Sequence, residues 1–435
     1  MAAAAATARR WREALAVYGD RRLLIVFAMG FASGLPLPLS GATLSIWLAE
    51  AGVTLASIGL FALAGTPYNV KFLWAPLLDR VRVPVLSRLL GRRRAWMIVI
   101  QAGLMLSLVA LGLTHPEESP AATAALALVV AFFSASQDVV IDAYRIEILD
   151  ESEQGAGAAM TQAGYRVGLL AAGAGALYLA EAVPWAAVYA VMAALVVLGF
   201  VAAALAPLPP EPAETATKPE VSQWLHETIV APFTEFFARN GLAVAALLLA
   251  FILLYKLGDA FAGVMANPFY IKIGFTKTEI ASVSKIFGVA ATLLGVFLGG
   301  AIVKRYGVLR SLLGCGLLQM VSNLMFAAQA AIGHDVGFLF LTIGVENLSG
   351  GMGSAAFVAY LSLLCNTAYT GTQYALFSSF MAFGRTWLAA SSGWVAEGTD
   401  WVTFFVISTF VAVPGLLMLL WIMRRLPMAA QRAAG

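Results

Sequence analysis

Apolar stretches of about 20 residues follow one another along this chain, separated by short polar or basic stretches. Each is long enough to cross a hydrocarbon core about 30 Å thick as a helix. The pattern predicts twelve spans, over residues 22–47, 56–78, 95–113, 122–147, 155–180, 184–206, 241–265, 279–303, 309–332, 336–364, 372–396 and 401–423. Glycines recur within them at four-residue spacing, as at Gly30/Gly34, Gly164/Gly168 and Gly295/Gly299, which predicts close helix packing. After the sixth span the series is interrupted by "APLPPEPAETATKPEVSQWLHETIVAPFTEFFARN". That segment opens rich in Pro, Glu and Thr and closes as a surface helix with Trp224, Leu225, Ile229 and Phe233 available to one face. The expected organisation is an N-terminal six-helix half (residues 1–206), a linker with an amphipathic helix (207–240) and a C-terminal six-helix half (241–435).

Composition supports this reading, since 61% of the 435 residues are hydrophobic, 12% are charged and the mean hydropathy is +0.85. Charge then gives the orientation. Of the 27 basic residues, 20 fall on the side that holds both termini, two (Lys272 and Lys277) on the other and five within spans, which predicts cytoplasmic termini. The arginine-rich N-terminus runs directly into a full-length apolar segment, so an uncleaved first helix is expected rather than a secretory signal. The halves also repeat. "GVTLASIG" from Gly52 returns loosely as "GFTKTEIA" from Gly274, the basic turn at "PLLDRVRVP" matches "GGAIVKRYG" in position, and Arg166 in span 5 corresponds to Arg385 in span 11. Two six-span halves with basic loops after their second spans are the organisation of the major facilitator fold, in which substrate binds near the midplane between halves. Two cysteines, Cys315 and Cys365, and three loop histidines offer neither a metal site nor a catalytic constellation. No cofactor, metal or nucleic-acid partner is expected, and the protein is not expected to be an enzyme.

Ionisable residues inside the spans carry the functional expectation, because each costs about 2.5–3.5 kcal/mol at the centre of a helix in a bilayer. In "FFSASQDVVIDAYRIEILDE", Asp138 and Asp142 lie one turn apart on one face of span 4, about 24 and 30 Å from its outer end. They are the proton-coupling candidates; the alternative is an ion-pair network with Arg145 and Glu147 at the cytoplasmic edge. Arg166 in span 5 lies at a depth that can meet Asp138. Lys256 and Asp259, three residues apart in "LLYKLGDAF", suit either a local ion pair or a binding site. Glu346 and Asn347 stand in "GVENLSGGMGSAAF", a polar, glycine-rich segment of span 10. Arg385 must face a cavity or an acid, and Lys71 stands beside Tyr68, Phe72 and Trp74, aromatics that suit sugar rings. Lys71, Tyr68, Arg166, Lys256, Asp259, Glu346, Asn347 and Arg385 are therefore the substrate-binding candidates. In the loop "DRVRVPVLSRLLGRRR", Asp79, Arg80, Arg92 and Arg93 are the candidates for a cytoplasmic gate.

Longer blocks go beyond composition. "FASGLPLPLSGATLSIWL", "KFLWAPLLDR", "GRRRAW", "FFSASQDVVIDAYRIEIL", "GAGAAMTQAGYRVG", "LYKLGDAFA", "ENLSGGMGSAAFVAYLSLLCN" and "TQYALFSS" closely resemble the AmpG-type muropeptide permeases of Gram-negative bacteria. The resemblance runs through all twelve spans. It implies a proton-driven importer in the bacterial inner membrane that recovers anhydromuropeptides, N-acetylglucosaminyl-1,6-anhydro-N-acetylmuramic acid with or without its stem peptide, for peptidoglycan recycling. Its partners would be that cargo, protons and the lipid bilayer, and a monomer is expected. Some members of that family continue past the twelfth span with further apolar segments, where this sequence reads "WIMRRLPMAAQRAAG"; a twelve-span core suffices for alternating access. A carrier of acetyl-CoA or another anionic metabolite is the alternative. An integral-membrane enzyme acting on cell-wall sugars would be a different class, for which the sequence offers no catalytic pair.

Overall fold

A computed structural model describes residues 16–53, 61–209 and 230–425. The linker face at Trp224, Leu225 and Ile229, most of the "GVTLASIG" block and the first three arginines lie outside the described residues. Among those described, every regular element is helical. Eight helices are long and apolar enough to cross a membrane, or nine if Val336–Leu364 and Thr367–Phe383, bent by 99° at their junction, count as one.

Helical runs fall in each of the twelve predicted ranges. They are numbered here α1 (Arg21–Leu48), α2 (61–80), α3 (Arg92–Gly112), α4 (Pro120–Ile148), α5 (154–180), α6 (Trp185–Leu205), α7 (Leu242–Lys272), α8 (277–306), α9 (Val308–Ile332), α10 (Val336–Leu364), α11 (370–398) and α12 (Trp401–Arg425). Asp20 caps α1 by accepting from the Arg22 amide at 2.7 Å, and the Arg22 guanidinium beside it holds the Asp20 carboxyl below its usual range. Between α6 and α7, the described end of the linker forms the helix Ala231–Asn240, whose Phe236 is fully buried against Phe377 of α11.

Several runs are not regular α-helices, and three of the irregularities fall at cations. Proline at positions 67 and 76 divides α2 into short pieces, and Lys71 opens a 3₁₀ turn there. The helical path of α7 breaks at Lys256 (φ −98°, ψ 6°). In α11 the residues Gly384–Leu388, with Arg385 among them, form a π turn. Three cations inside the helical bundle thus stand where the ladder of hydrogen bonds is interrupted, the arrangement in which broken helices build binding sites at the midplane of transporters.

Glycine sets the tightest contacts. A Cβ on Gly30 or Gly34 of α1 would collide with the backbone of α5 at Thr161 or Tyr165, and one on Gly164 or Gly168 with Phe27 or Phe31. Gly295 and Gly299 of α8 meet α10 at Leu348 and Met352 in the same way, so the four-residue glycine pairs are packing surfaces as expected. The repeat shows in the backbone as well. Gly52 and Gly274, which begin the two matched blocks, both have positive φ (75° and 99°), as do Gly91 and Gly307 (75° and 78°), which precede α3 and α9.

Candidate functional site

A cavity of about 530 Å³ lies between the two halves. From the N-terminal half, Ser33 of α1, Asp138 and Asp142 of α4 and Thr161, Tyr165 and Arg166 of α5 line it. The C-terminal half adds Lys256 and Asp259 of α7, Thr292 of α8, Glu346 and Asn347 of α10 and Tyr374 and Arg385 of α11. Of the ten residues selected from sequence for proton or substrate binding, eight meet here. Tyr68 and Lys71 are not on its wall. Lys71 is buried behind it, where α2 breaks, within electrostatic range of both Asp138 and Asp142.

Side-chain partners separate the carboxylates. Asp138 accepts a hydrogen bond from Ser33 Oγ at 2.5 Å. Asp142 lies 3.5 Å from the Arg145 guanidinium, one turn further along α4. Lys256 donates to Gln319 Oε1 at 2.9 Å and stands 3.8 Å from Asp259, so the local ion pair is present. Asn347 Nδ2 donates to Glu346 at 2.6 Å, while Asn347 Oδ1 accepts from Thr292 at 2.7 Å. The expected meeting of Arg166 with Asp138 does not occur. The acid within electrostatic range of Arg166 is Glu346, from the other half. Depth along a helix fixes a side chain's height in the bundle but not the direction it points, and Arg166 points across the interface.

At the end of the bundle that carries the termini, a second polar cluster seals the cavity. Arg93, 2% exposed, bridges Asp79 (2.8 Å) and Glu147 (2.5 Å) within the N-terminal half and donates to Thr370 of α11 at 3.1 Å. Thr370 also donates to Glu147. Asp79 accepts from the amides of Gly371 (3.2 Å) and Thr372 (2.7 Å) and from the Thr372 hydroxyl (2.6 Å). It therefore caps the first turn of a helix in the other half, where free amides and the helix dipole favour an anion. Arg145, wholly buried, donates to Gln154 and to Ser362 of α10 and packs over the Tyr374 ring. Of the other gate candidates, Arg80 lies over the ring of Tyr369 at 5.0 Å.

Comparison with known proteins decides the family. The Major Facilitator Superfamily model matches residues 22–265. An anhydromuropeptide permease of Escherichia coli K12 is 41% identical over 93% of this chain and 80% of its own length. A transporter of Rickettsia conorii, named putative transporter AmpG 4, is 34% identical over 93% of this chain and 97% of its own. The chain belongs to the AmpG-type permeases of the major facilitator superfamily. Among solved structures, the human organic anion transporter MFSD10 superposes with a TM-score of 0.61, covering 94% of this chain and 99% of its own, at 16% identity; that likeness concerns the fold alone.

In this permease the sequence pointed to the charged residues of the site and to Asn347, and missed the other uncharged ones. Ser33, Thr292, Gln319, Ser362 and the Thr370–Thr372 turn each complete a contact named above, yet hydroxyls and amides are inexpensive in a membrane helix and carry no conspicuous signal. For Thr370–Thr372 a signal did exist: "TGTQY" directly follows a loop and begins an apolar run, the pattern of a helix N-terminus that needs an acceptor.

Proposed function

We propose that this permease imports anhydromuropeptides across the bacterial inner membrane in symport with protons, acting as a monomer with both termini in the cytoplasm. The observation that carries the proposal is the convergence of eight intramembrane polar residues, selected by their cost in a bilayer, on one cavity between the halves. Its volume of about 530 Å³ lies within the range of about 300–1,000 Å³ typical of small-ligand sites. The cargo follows from the Escherichia coli relative, which is named an anhydromuropeptide permease. Residues 1–206 and 241–435 are taken as the two moving halves, joined through the linker at 207–240. With cytoplasmic termini, the network of Asp79, Arg93, Arg145 and Glu147 is the cytoplasmic gate and is closed in this conformation.

The chemistry suits symport. A protonated carboxyl at Asp138 keeps its Ser33 contact while losing its charge, which changes the balance of the cavity without changing its shape. Asp142, tied to Arg145, connects that balance to the gate. Uptake of labelled GlcNAc-1,6-anhydro-MurNAc into right-side-out vesicles tests the assignment. Accumulation above the external concentration is expected with an inward proton gradient and is lost on adding an uncoupler. Undiminished accumulation after uncoupling would sink proton symport. Competition by acetyl-CoA but not by unlabelled disaccharide would assign a metabolite carrier instead.

A further inference from the structure

Two cations in the cavity are left without a partner. Asp142 is matched by Arg145 and Lys256 by Asp259, but Arg166 and Arg385 form no hydrogen bond or ion pair among the described residues, although both open onto the cavity. They belong to opposite halves, on α5 and α11, and lie within electrostatic range of each other. Both are exposed to the cavity rather than enclosed, so their donors stay open to a ligand. Two of them facing one space suit a planar anion, which a guanidinium binds through two parallel hydrogen bonds.

Glu346 occupies the opposing position. It projects from α10 into the same cavity within electrostatic range of Arg166, and its carboxylate accepts from the Asn347 amide at 2.6 Å. Facing it are Lys256, Asp259 and Tyr270 from α7 and Arg166 from α5. From α8, Thr292 reaches Asn347 rather than the carboxylate, and Arg385 of α11 lines the same space. Lys256 is the stronger cation acting on Glu346 and Arg166 the weaker, but Lys256 is already engaged by Asp259 and Gln319, which leaves Arg166 as the cation that both Glu346 and a bound anion can reach.

We infer that Arg166 and Arg385 together bind a carboxylate of the cargo, bridging the two halves, and that Glu346 is the internal anion that competes with it for Arg166. This rests on the transport reading above and names the chemical group recognised. A proton taken up by Glu346 from the outer solution removes the competitor, and the cargo carboxylate then draws the two halves together through its guanidinium partners. When that proton leaves to the cytoplasm, Glu346 regains its charge and displaces the cargo. Carboxylate binding therefore strengthens as pH falls, until the cargo's own carboxyl titrates. For a peptide-free cargo the group is the lactyl carboxylate.

The test uses the full-length permease in nanodiscs and two probes, GlcNAc-1,6-anhydro-MurNAc and its lactyl carboxamide, measured by calorimetry at acid and alkaline pH. The carboxylate is expected to bind about tenfold or more tightly than the carboxamide at acid pH, the preference of one charge-assisted pair. Arg166→Gln and Arg385→Gln each bring the carboxylate down to the carboxamide level, and the carboxamide serves as the control that the variants are folded. Glu346→Gln gives the carboxylate its acid-pH affinity at alkaline pH as well, abolishing the pH profile. Equal binding of the two probes to the parent overturns this inference alone, as does a pH profile that persists in Glu346→Gln. Binding of neither probe overturns the cargo assignment together with it.

Discussion

Asp138 and Asp142 stand one turn apart on α4, yet their surroundings assign them different work. Asp138 faces the cavity with a hydroxyl as its only hydrogen-bond partner among the described residues, whereas Asp142 helps to hold Arg145, which is buried in contact with both halves. Asp138→Asn preserves the shape and the Ser33 contact but fixes the uncharged state. The expected outcome is exchange of labelled for unlabelled substrate without gradient-driven accumulation, read in the same vesicles; normal accumulation would remove Asp138 from coupling. Asp142→Asn leaves part of the Arg145 charge unmatched in a buried place, so a lower melting temperature is expected, corresponding to a loss of up to about 3 kcal/mol. Both aspartates were legible in the sequence because a carboxylate in an apolar stretch demands a reason. The shallower depth of Asp142 already leaned it toward the ion-pair network, but the partners that divide the two were not legible, since they are Ser33, 105 residues from Asp138, and Ser362, 217 residues from Arg145.

At the scale of the element, the proposed gate is a helix end from one half capped by a side chain from the other. Asp79 receives two amides and a hydroxyl at the start of α11 as well as the Arg93 guanidinium. Asp79→Asn removes the charge that the helix dipole and Arg93 both favour, a loss of about 1–2 kcal/mol. That moves a two-state equilibrium by about tenfold. Cys365, half-buried at the end of α10 beside this gate, reports the change, because Cys315, the other cysteine, is buried in α9. Labelling of Cys365 by an impermeant maleimide from the face that carries the termini should rise about tenfold; an unchanged rate would show that the cap does not hold the proposed gate. Hydropathy located the helices to within a few residues because the bilayer imposes a length on each. The interruptions at Lys71, Lys256 and Arg385 escaped it, since π and 3₁₀ turns keep the apolar composition and alter only the hydrogen-bond spacing.

For the whole molecule, a set of hydrogen bonds joins the two halves at the termini end: Tyr18 to Phe297, Lys304 to Ser152, Arg145 to Ser362 and the Asp79–Arg93–Glu147 contacts with α11. Alternating access therefore has a seam to open there, and α5 and α8 press together along it. A Cβ on Gly300 would stand 2.8 Å from the Gly155 carbonyl and 2.9 Å from the Ala159 methyl, both across the seam. Gly168, by contrast, packs against α1 within its own half. Adding bulk at either place costs about 1–3 kcal/mol, but the state that bears the cost differs. Gly300→Leu should spare folding, destabilise only the closed seam, raise Cys365 labelling from the face that carries the termini and lower uptake. Gly168→Leu should instead lower the yield and melting temperature of the protein, because that contact persists in every conformation of the half. If Gly300→Leu proved as unstable as Gly168→Leu, or left labelling and uptake at parental levels, the α5–α8 crossing would not be a moving contact and the halves would have to part along another line.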